Sequence, residues 1–252
     1  MKILYFTGSG NSLSVAKRFD AEYLSIPQMI KNNIYEIEDD VIGIIYPVYA
    51  ASIPDIVRKY LSKCTLKASY IFVIATYGSI ACGTLHEMKK ILSVSGNKAD
   101  YYNSILMVDN YLPFFDIKTQ LEKIKDKNIE YNLTKIVDEI KERVKKDENC
   151  SLIDKFVSAI GYTVVRQIGK FTPKMFYVNE ECVSCGICKK VCPVSNVEQD
   201  AQNKPVFGNN CEGCLSCIHN CLKNAIQMKG QRSEKRFRNP EVSLNEIINS
   251  NN

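Results

Sequence analysis

Residues 2–16 read KILYFTGSGNSLSVA, and this stretch decides the fold of the first part of the chain. Residues 2–6 form a short apolar run typical of a buried strand, and residues 7–12 are rich in glycine and hydroxyl side chains. Beyond this loop, apolar side chains recur at helical spacing from Leu13 to Tyr23. A strand, a glycine loop and a helix in this order predict the first unit of a parallel α/β sheet.

The alternation of strands and helices continues along residues 1–150. Residues 41–48 and 70–76 are nearly continuous apolar runs, as expected for strands buried on both faces of a parallel sheet, and residues 101–108 predict a further strand. Helical spacing and end signals fall between these runs, at residues 54–61 and 84–92, and after the last of them, at residues 118–146. We therefore predict an α/β domain with a doubly wound parallel sheet.

The glycine loop has the chemistry of a phosphate site. Backbone N–H groups at a helix N-terminus attract anions, and the hydroxyls of Thr7, Ser9 and Ser12 add further donors. The loop has no lysine, unlike a nucleoside-triphosphate loop, and it is too short for the dinucleotide motif GxGxxG. A plain turn is the alternative interpretation, but a position directly after the first strand of a doubly wound sheet favours phosphate.

Eight of the eleven cysteines belong to a repeated motif, C-x2-C-x2-C-x3-C. The first copy contains Cys182, Cys185, Cys188 and Cys192, and the second contains Cys211, Cys214, Cys217 and Cys221. Three cysteines at steps of three can present their thiolates to one cubane, while the fourth turns away and serves the other cluster. This predicts one [4Fe-4S] cluster on Cys182, Cys185, Cys188 and Cys221, and another on Cys211, Cys214, Cys217 and Cys192. Two zinc sites or disulfides are the alternatives, although zinc sites need no third cysteine at this spacing.

These motifs closely resemble the bacterial ferredoxin domain with two [4Fe-4S] clusters, a small α+β fold. The resemblance covers about residues 174–228, and Ala225-Ile226 matches the pair that usually follows the second motif. Leu222 departs from the proline expected after the last cysteine, which affects the turn and not the ligands. The cysteines outside the motifs, interpreted as buried small hydrophobic residues, are Cys64, Cys82 and Cys150.

The glycine loop in turn closely resembles the flavodoxin signature that cradles the phosphate of FMN. Residues 47–54 leave the third strand, where flavodoxins carry their first loop over the flavin ring, and residues 76–83 leave the fourth, where they carry the second. The resemblance implies an FMN site at the carboxyl edge of the sheet. The candidate cofactor-binding residues are Thr7, Gly8, Ser9, Gly10, Asn11, Ser12, Pro47, Val48, Tyr49, Ala50, Thr76, Tyr77, Gly78 and Gly83.

Two features of the ring loops carry further expectations. Tyr49 and Tyr77 are candidates to stack on the flavin ring, the alternative being simple packing, and Asn110 and Tyr111 follow the fifth strand towards the ring edge. In the first ring loop, residues 50–52 read Ala-Ala-Ser where the family tends to place glycine. Alanine adopts a positive φ only at a cost of roughly 1 kcal/mol or more, so we expect a peptide flip that needs one to be disfavoured.

The whole chain is similar to flavodoxin-plus-ferredoxin fusion proteins. We predict an FMN-binding domain over residues 1–150, a helical linker over 151–173, a ferredoxin domain over 174–229, and a frayed, polar, basic tail over 230–252. The resemblance implies an iron–sulfur flavoprotein that passes electrons between FMN, two [4Fe-4S] clusters and external redox proteins. The alternatives are a flavin-dependent reductase of a small substrate such as a quinone, and a zinc-stabilised binding module with an empty flavodoxin-like fold.

Charge and targeting signals limit the classes of partner and the cellular location that we expect. The formal charge of +5, from 33 basic and 28 acidic side chains, falls to about −1 when two clusters and an FMN phosphate are added. We therefore expect no nucleic-acid partner. The longest apolar run, residues 41–54, is too short to span a bilayer, and no signal-peptide pattern opens the sequence, so we expect a cytoplasmic protein. The length leaves no room for a nicotinamide domain, which implies an external reductant.

Overall fold

The computed structural model describes residues 1–251, with the exception of the side chains of residues 165–166 and 168–170. The strands in chain order are β1 (Lys2–Tyr5), β2 (Glu22–Ser25), β3 (Glu36–Glu38), β4 (Val41–Pro47), β5 (Thr65–Lys67), β6 (Tyr70–Tyr77), β7 (Tyr101–Leu106), β8 (Phe176–Val178), β9 (Val197–Gln199), β10 (Pro205–Phe207) and β11 (Ile226–Met228). The helices are α1 (Asn11–Ala16), α2 (Ile26–Lys31), α3 (Asp55–Leu61), α4 (Thr84–Val94), α5 (Ile117–Glu122), α6 (Ile129–Lys141), α7 (Leu152–Met175), α8 (Ile187–Lys190), α9 (Ser216–His219) and α10 (Leu244–Asn251), with a 3-10 helix at Lys123–Lys127.

The central sheet has five strands in the order β2-β1-β4-β6-β7, and every pairing in it is parallel. Renumbered along the chain, this is the order 2-1-3-4-5 of the flavodoxin-like doubly wound fold. The predicted fold class is therefore confirmed. The strand order reverses between β1 and β4, so the crevice for a ligand lies at the carboxyl ends of these two strands.

Apolar side chains cover both faces of this sheet, because successive residues of a strand point to opposite sides. On one face Leu4 and Ile44 pack with α2, α3 and α4, and on the other Ile3 and Ile45 pack with α1 and α6. Each fully buried isoleucine or leucine stabilises the fold by about 1.5–3 kcal/mol. The near-continuous apolar runs of β4 and β6 are thus explained by burial on both sides.

The helix predicted to run as far as Tyr23 is shorter than expected. It ends at Ala16, and Tyr23 lies in the edge strand β2, which pairs with β1 alone. Only Ser25 of that strand is fully buried. An edge strand with exposed side chains has no apolar run, so the sequence carried no strand signal at this place.

The second half of the chain contains the predicted linker helix and a small α+β unit. Helix α7 begins with a capping box between Ser151 and Asp154 and continues to Met175, past the predicted boundary at residue 173. Strand β8 pairs antiparallel with β11, and β9 with β10, while α8 and α9 follow the cysteine loops. None of the helices in the described part of the chain is long and apolar enough to cross a membrane.

The prediction of a frayed tail is wrong for the residues that the structure describes; Asn252 lies outside them. Val242 and Ile247 are buried against the helical face that covers Ile3 and Ile45, and the hydroxyl of Tyr5 is 2.8 Å from that of Ser250. Helix α10 also contacts α2. Because the few apolar anchors are far apart in a polar stretch, composition alone did not indicate packing.

Candidate functional site

A cavity of about 580 Å³ opens at the carboxyl ends of β1, β4 and β6, next to the reversal of strand order. This volume lies in the range of about 300–1,000 Å³ that is usual for small-molecule and cofactor sites. The walls come from the glycine loop, the two ring loops, the loop after β7, helix α7 and the second cysteine motif; the ranges concerned are 7–12, 47–51, 76–80, 108–115, 157–164 and 212–215.

Of the predicted cofactor-binding residues, all line this cavity except Gly10 and Gly83. Gly10 has a φ of +102° and faces away, since a Cβ there would lie 3.0 Å from the Cβ of Asn239. Gly83 packs against the first turn of α7 and donates its N–H to Ser158 Oγ at 2.7 Å. The structure thus brings the three predicted loops together, and the role of each residue in binding stays a prediction.

The glycine loop is held in place by its own polar groups. The N–H of Gly10 donates to Thr7 Oγ1 at 3.1 Å, the hydroxyls of Ser12 and Thr76 are 2.9 Å apart, and Asn11 Nδ2 donates to Val108 O at 3.0 Å. Thr7 and Ser12 are buried, so these bonds are shielded from water. The loop is therefore preorganised around its N–H groups, as a phosphate site requires.

The first ring loop contains a two-residue turn with positive φ at two alanines. Tyr49 and Ser52 exchange N–H···O=C hydrogen bonds of 2.9 Å, while Ala50 and Ala51 have φ values of +46° and +61°. Such turns need positive φ at both central residues. The paired hydrogen bonds thus stabilise a turn that has positive φ without glycine, and the expected resistance of this loop to a peptide flip stays a prediction.

Helix α7 packs directly on this turn. The hydroxyl of Ser158 donates to Ala51 O at 2.8 Å while accepting from Gly83 N–H, so one side chain joins the two ring loops. A Cβ on Gly161 would lie only 2.3 Å from Ala50 O, so a glycine is needed for this close approach. The linker helix is therefore part of the cavity wall.

The two candidate stacking tyrosines differ in their surroundings. Tyr49 packs edge-to-face on Phe6, with ring centroids 6.3 Å apart, and burial raises the pKa of its hydroxyl well above the usual range. A Cβ added at Gly8 would lie 3.1 Å from the hydroxyl of Tyr49, so this side chain packs against the glycine loop. Tyr77 is only half-buried in the cavity wall. Asn110 and Tyr111 also line the cavity, as predicted from their position after β7.

Of the two predicted cysteine sets, one lines a second, smaller cavity. This set is Cys182, Cys185, Cys188 and Cys221, the crossed combination of three cysteines from one motif and one from the other. We call it the far cluster site, because none of its lining residues borders the large cavity. The thiol of Cys221 accepts from Ala225 N–H at 3.2 Å, and backbone N–H···S bonds of this kind tune iron–sulfur clusters.

The other crossed set, the near cluster site, consists of Cys192, Cys211, Cys214 and Cys217. Burial, with a smaller contribution from the neighbouring Cys192, raises the pKa of the Cys211 thiol to about 11. Asn196 N–H donates to Cys192 Sγ at 3.1 Å, and Gly213 N–H to Cys211 Sγ at 3.3 Å. Among the described residues no three His, Cys, Asp or Glu side chains are spaced to hold a single metal ion.

The remaining cysteines are only partly as predicted. Cys64 is buried, as expected for a small hydrophobic residue, but Cys82 and Cys150 are half-buried. Both lie at the junction where the loop before α4 meets the start of α7, which the local sequence does not reveal.

The segment Glu212–Leu215 of the second cysteine motif forms one wall of the large cavity, and we call it the wall segment. A Cβ on Gly8 would lie 2.9 Å from Cys214 O, so the glycine loop and the wall segment are in direct contact. Glu212 Oε1 accepts from Ile56 N–H at 3.1 Å, and burial raises the pKa of its carboxyl to about 7. No sequence signal predicted this wall, because the contact joins residues two hundred positions apart in different folding units.

Comparison with known proteins identifies the second unit. Residues 174–234 match the family model of the 4Fe-4S dicluster domain. Pyruvate synthase subunit PorD of Methanocaldococcus jannaschii is 39% identical over 49 residues, which are 19% of this chain and 57% of that protein. The chain thus spans little more than half the length of this curated relative.

Solved structures similar to the first part of the chain are distant. The two-electron reduced flavodoxin of Megasphaera elsdenii has a TM-score of 0.32 and 15% identity, covering 41% of this chain and 83% of that one. The Trp repressor binding protein of Bacillus subtilis has a TM-score of 0.30 and 12% identity, covering 42% and 86%. The flavodoxin-like assignment therefore depends on the strand order itself. The chain joins a flavodoxin-like fold to a segment that matches the 4Fe-4S dicluster domain.

Proposed function

We propose that this protein is an electron carrier in which FMN occupies the large cavity and exchanges electrons with [4Fe-4S] clusters at the near and far cluster sites. The observation that carries the proposal is the position of the wall segment. It belongs to the second cysteine motif, and it also borders the cavity formed by the glycine loop and the ring loops. A flavin in that cavity would lie beside a cluster ligand, Cys214.

The residues present fit FMN. The glycine loop offers backbone N–H groups and buried hydroxyls for the phosphate. Residue 8 must be glycine, because a side chain there would clash with Cys214. Apolar surface from Val48, Tyr77 and Val157 also lines the cavity and could contact the flavin ring. FMN, when bound, supplies a group that stores one or two electrons, whereas the clusters pass one electron at a time.

The arrangement of the two cluster sites supports an order for the transfer. The near cluster site shares Cys214 with the cavity wall, while the residues lining the far cluster site do not line the cavity. Cys185 of the far cluster site is exposed. We therefore propose that electrons pass between FMN, the near cluster and the far cluster, and that external redox proteins dock beside Cys185.

A specific observation also favours the alternative function, reduction of a small apolar substrate such as a quinone at the flavin. The mouth of the cavity carries exposed apolar side chains, with Ile80 60%, Phe114 66% and Ile160 51% exposed. Clustered exposure of this kind often marks a binding surface. An apolar acceptor small enough to enter would reach the ring directly.

Anaerobic purification followed by iron, sulfide and flavin assays tests the cofactors. We expect about eight iron atoms and about one FMN for each chain. A chain with zinc and no flavin would contradict the proposal. Turnover of quinones by the reduced protein faster than by free FMN would favour the reductase, and transfer to a small one-electron protein acceptor without quinone turnover would favour the carrier.

A further inference from the structure

We propose that binding of FMN and assembly of the near cluster are thermodynamically coupled through the wall segment, so that each cofactor strengthens binding of the other. The far cluster takes no part in this coupling. The inference rests on the proposed function, since it concerns the same cavity. It adds that the near cluster, by ordering the wall segment, strengthens the subsequent binding of FMN.

The wall segment has an unfavourable backbone conformation. Leu215, only 2% exposed, has a φ of +54°, whereas the equivalent position in the first cysteine motif is Gly186, with a φ of +72°. A leucine in this left-handed region is strained, and such strain persists only where the surroundings enforce it. The short helix α9 that follows has four residues and adds little rigidity. Ligation of Cys211, Cys214 and Cys217 by a cluster would add a direct constraint on this loop.

The wall segment and helix α9 together contact three separate parts of the flavodoxin-like domain. Cys214 O lies against Gly8, and Glu212 accepts from the N–H of Ile56. His219, in α9, donates from Nε2 to Asn110 O at 2.8 Å, in the loop after β7. The backbone that carries three ligands of the near cluster therefore also supports the glycine loop and the loop after β7, both of which line the cavity.

The far cluster site provides an internal comparison. Its lining residues are absent from the lining of the large cavity; they are residues 182–188, Asn203, Pro205, Cys221, Lys223, Ala225 and Ile226. Loss of the far cluster would therefore act on the large cavity only indirectly, through the contact of α8 with α9. Coupling carried by the wall segment should thus affect one cluster and leave the other unaffected.

Linkage makes the coupling reciprocal. If the wall segment is ordered only when the near cluster is present, the apparent Kd of FMN rises in its absence by the inverse of the ordered fraction. The same factor must then strengthen retention of the near cluster when FMN binds. For a loop with the strain of Leu215 and one buried carboxylate anchor, we expect a factor of about ten or more.

Two full-length variants separate the sites. Cys217→Ser removes a ligand of the near cluster, and Cys182→Ser removes a ligand of the far cluster. FMN is stripped anaerobically from each and returned while its fluorescence is recorded. We expect Cys182→Ser to bind FMN like the unaltered chain and Cys217→Ser to bind at least about tenfold more weakly. Equal affinities would overturn the coupling, whereas failure of the unaltered chain to bind FMN would overturn the proposed function instead.

The reciprocal measurement does not depend on the folding of Cys217→Ser. Iron and sulfide assays first establish that the Cys182→Ser chain keeps the near cluster. The ratio of cluster-loaded to empty chains after equilibration with a chelator is then measured with and without saturating FMN. We expect FMN to raise this ratio about tenfold. An unchanged ratio would refute the inference.

Discussion

Replacing Ser158 by alanine removes a hydroxyl that the two ring loops share. Ser158 is 4% exposed, accepts the N–H of Gly83 at 2.7 Å and donates to Ala51 O at 2.8 Å. The variant leaves one buried donor and one buried acceptor without this partner, each at a cost of about 1–3 kcal/mol. Ala51 borders the cavity, where water can replace the lost donor. We therefore expect the substitution to destabilise the contact between the two ring loops by about 2 kcal/mol in total.

This loss should fall mainly on the loops, since α7 keeps its capping box and its other contacts. We expect the Ser158→Ala chain to bind FMN about tenfold more weakly, and amide exchange at Gly83 and Ser52 to accelerate. Thr163→Ala is the matched control, because Thr163 is an exposed hydroxyl residue on the same helix. Unchanged FMN affinity together with unchanged exchange at Gly83 would refute the role given to Ser158.

Other predictions concern the glycine loop, the tail and pH. Gly8→Ala places a methyl group 2.9 Å from Cys214 O and should weaken FMN binding at least about tenfold. Gly96→Ala is the control: the positive φ of Gly96 makes alanine strained there, but the methyl group meets no other atom, so FMN binding should not change. A chain ending at residue 238 loses the hydrogen bonds from Asn239 to Ser9 O and Ser14 Oγ, so fluorescence titration should show weaker FMN binding; undiminished affinity would contradict this support. The hydrogen bond from Lys17 lowers the pKa of Glu246 to about 2 from 4.5, so its stabilisation of α10 is present above pH 4.5 and is lost as pH falls towards 2. Glu246→Gln should flatten the acid unfolding curve in that window, and an unaltered curve would exclude this ion pair.

Local signals explain how much of the fold was predictable. Long apolar runs predicted β4 and β6 because burial on both faces leaves no polar position in the strand. The edge strand β2 has exposed side chains and left no such pattern. Helix α10 was missed for a similar reason, since its anchors are single residues such as Ile247 within a run of asparagine and serine.

The candidate site was likewise predictable only where its residues carry a local sequence signal. The glycine loop and the ring loops were predictable because each follows directly from a strand of the sheet, and parallel strands end at one edge. The wall segment and the cavity-lining face of α7 were not, because Cys214 meets Gly8 and Gly161 meets Ala50 through packing between units. The positive φ of Ala50 and Ala51 likewise depends on hydrogen bonds formed only in the folded loop.

The most direct test of the central claim is anomalous diffraction at the iron edge from crystals of anaerobically purified protein. We expect two iron sites: one enclosed by Cys192, Cys211, Cys214 and Cys217, the other by Cys182, Cys185, Cys188 and Cys221. Flavin density should fill the large cavity, with its phosphate on residues 7–12 and the wall segment between ring and near cluster. Iron bound within each motif separately, or a flavin remote from Cys214, would contradict the account.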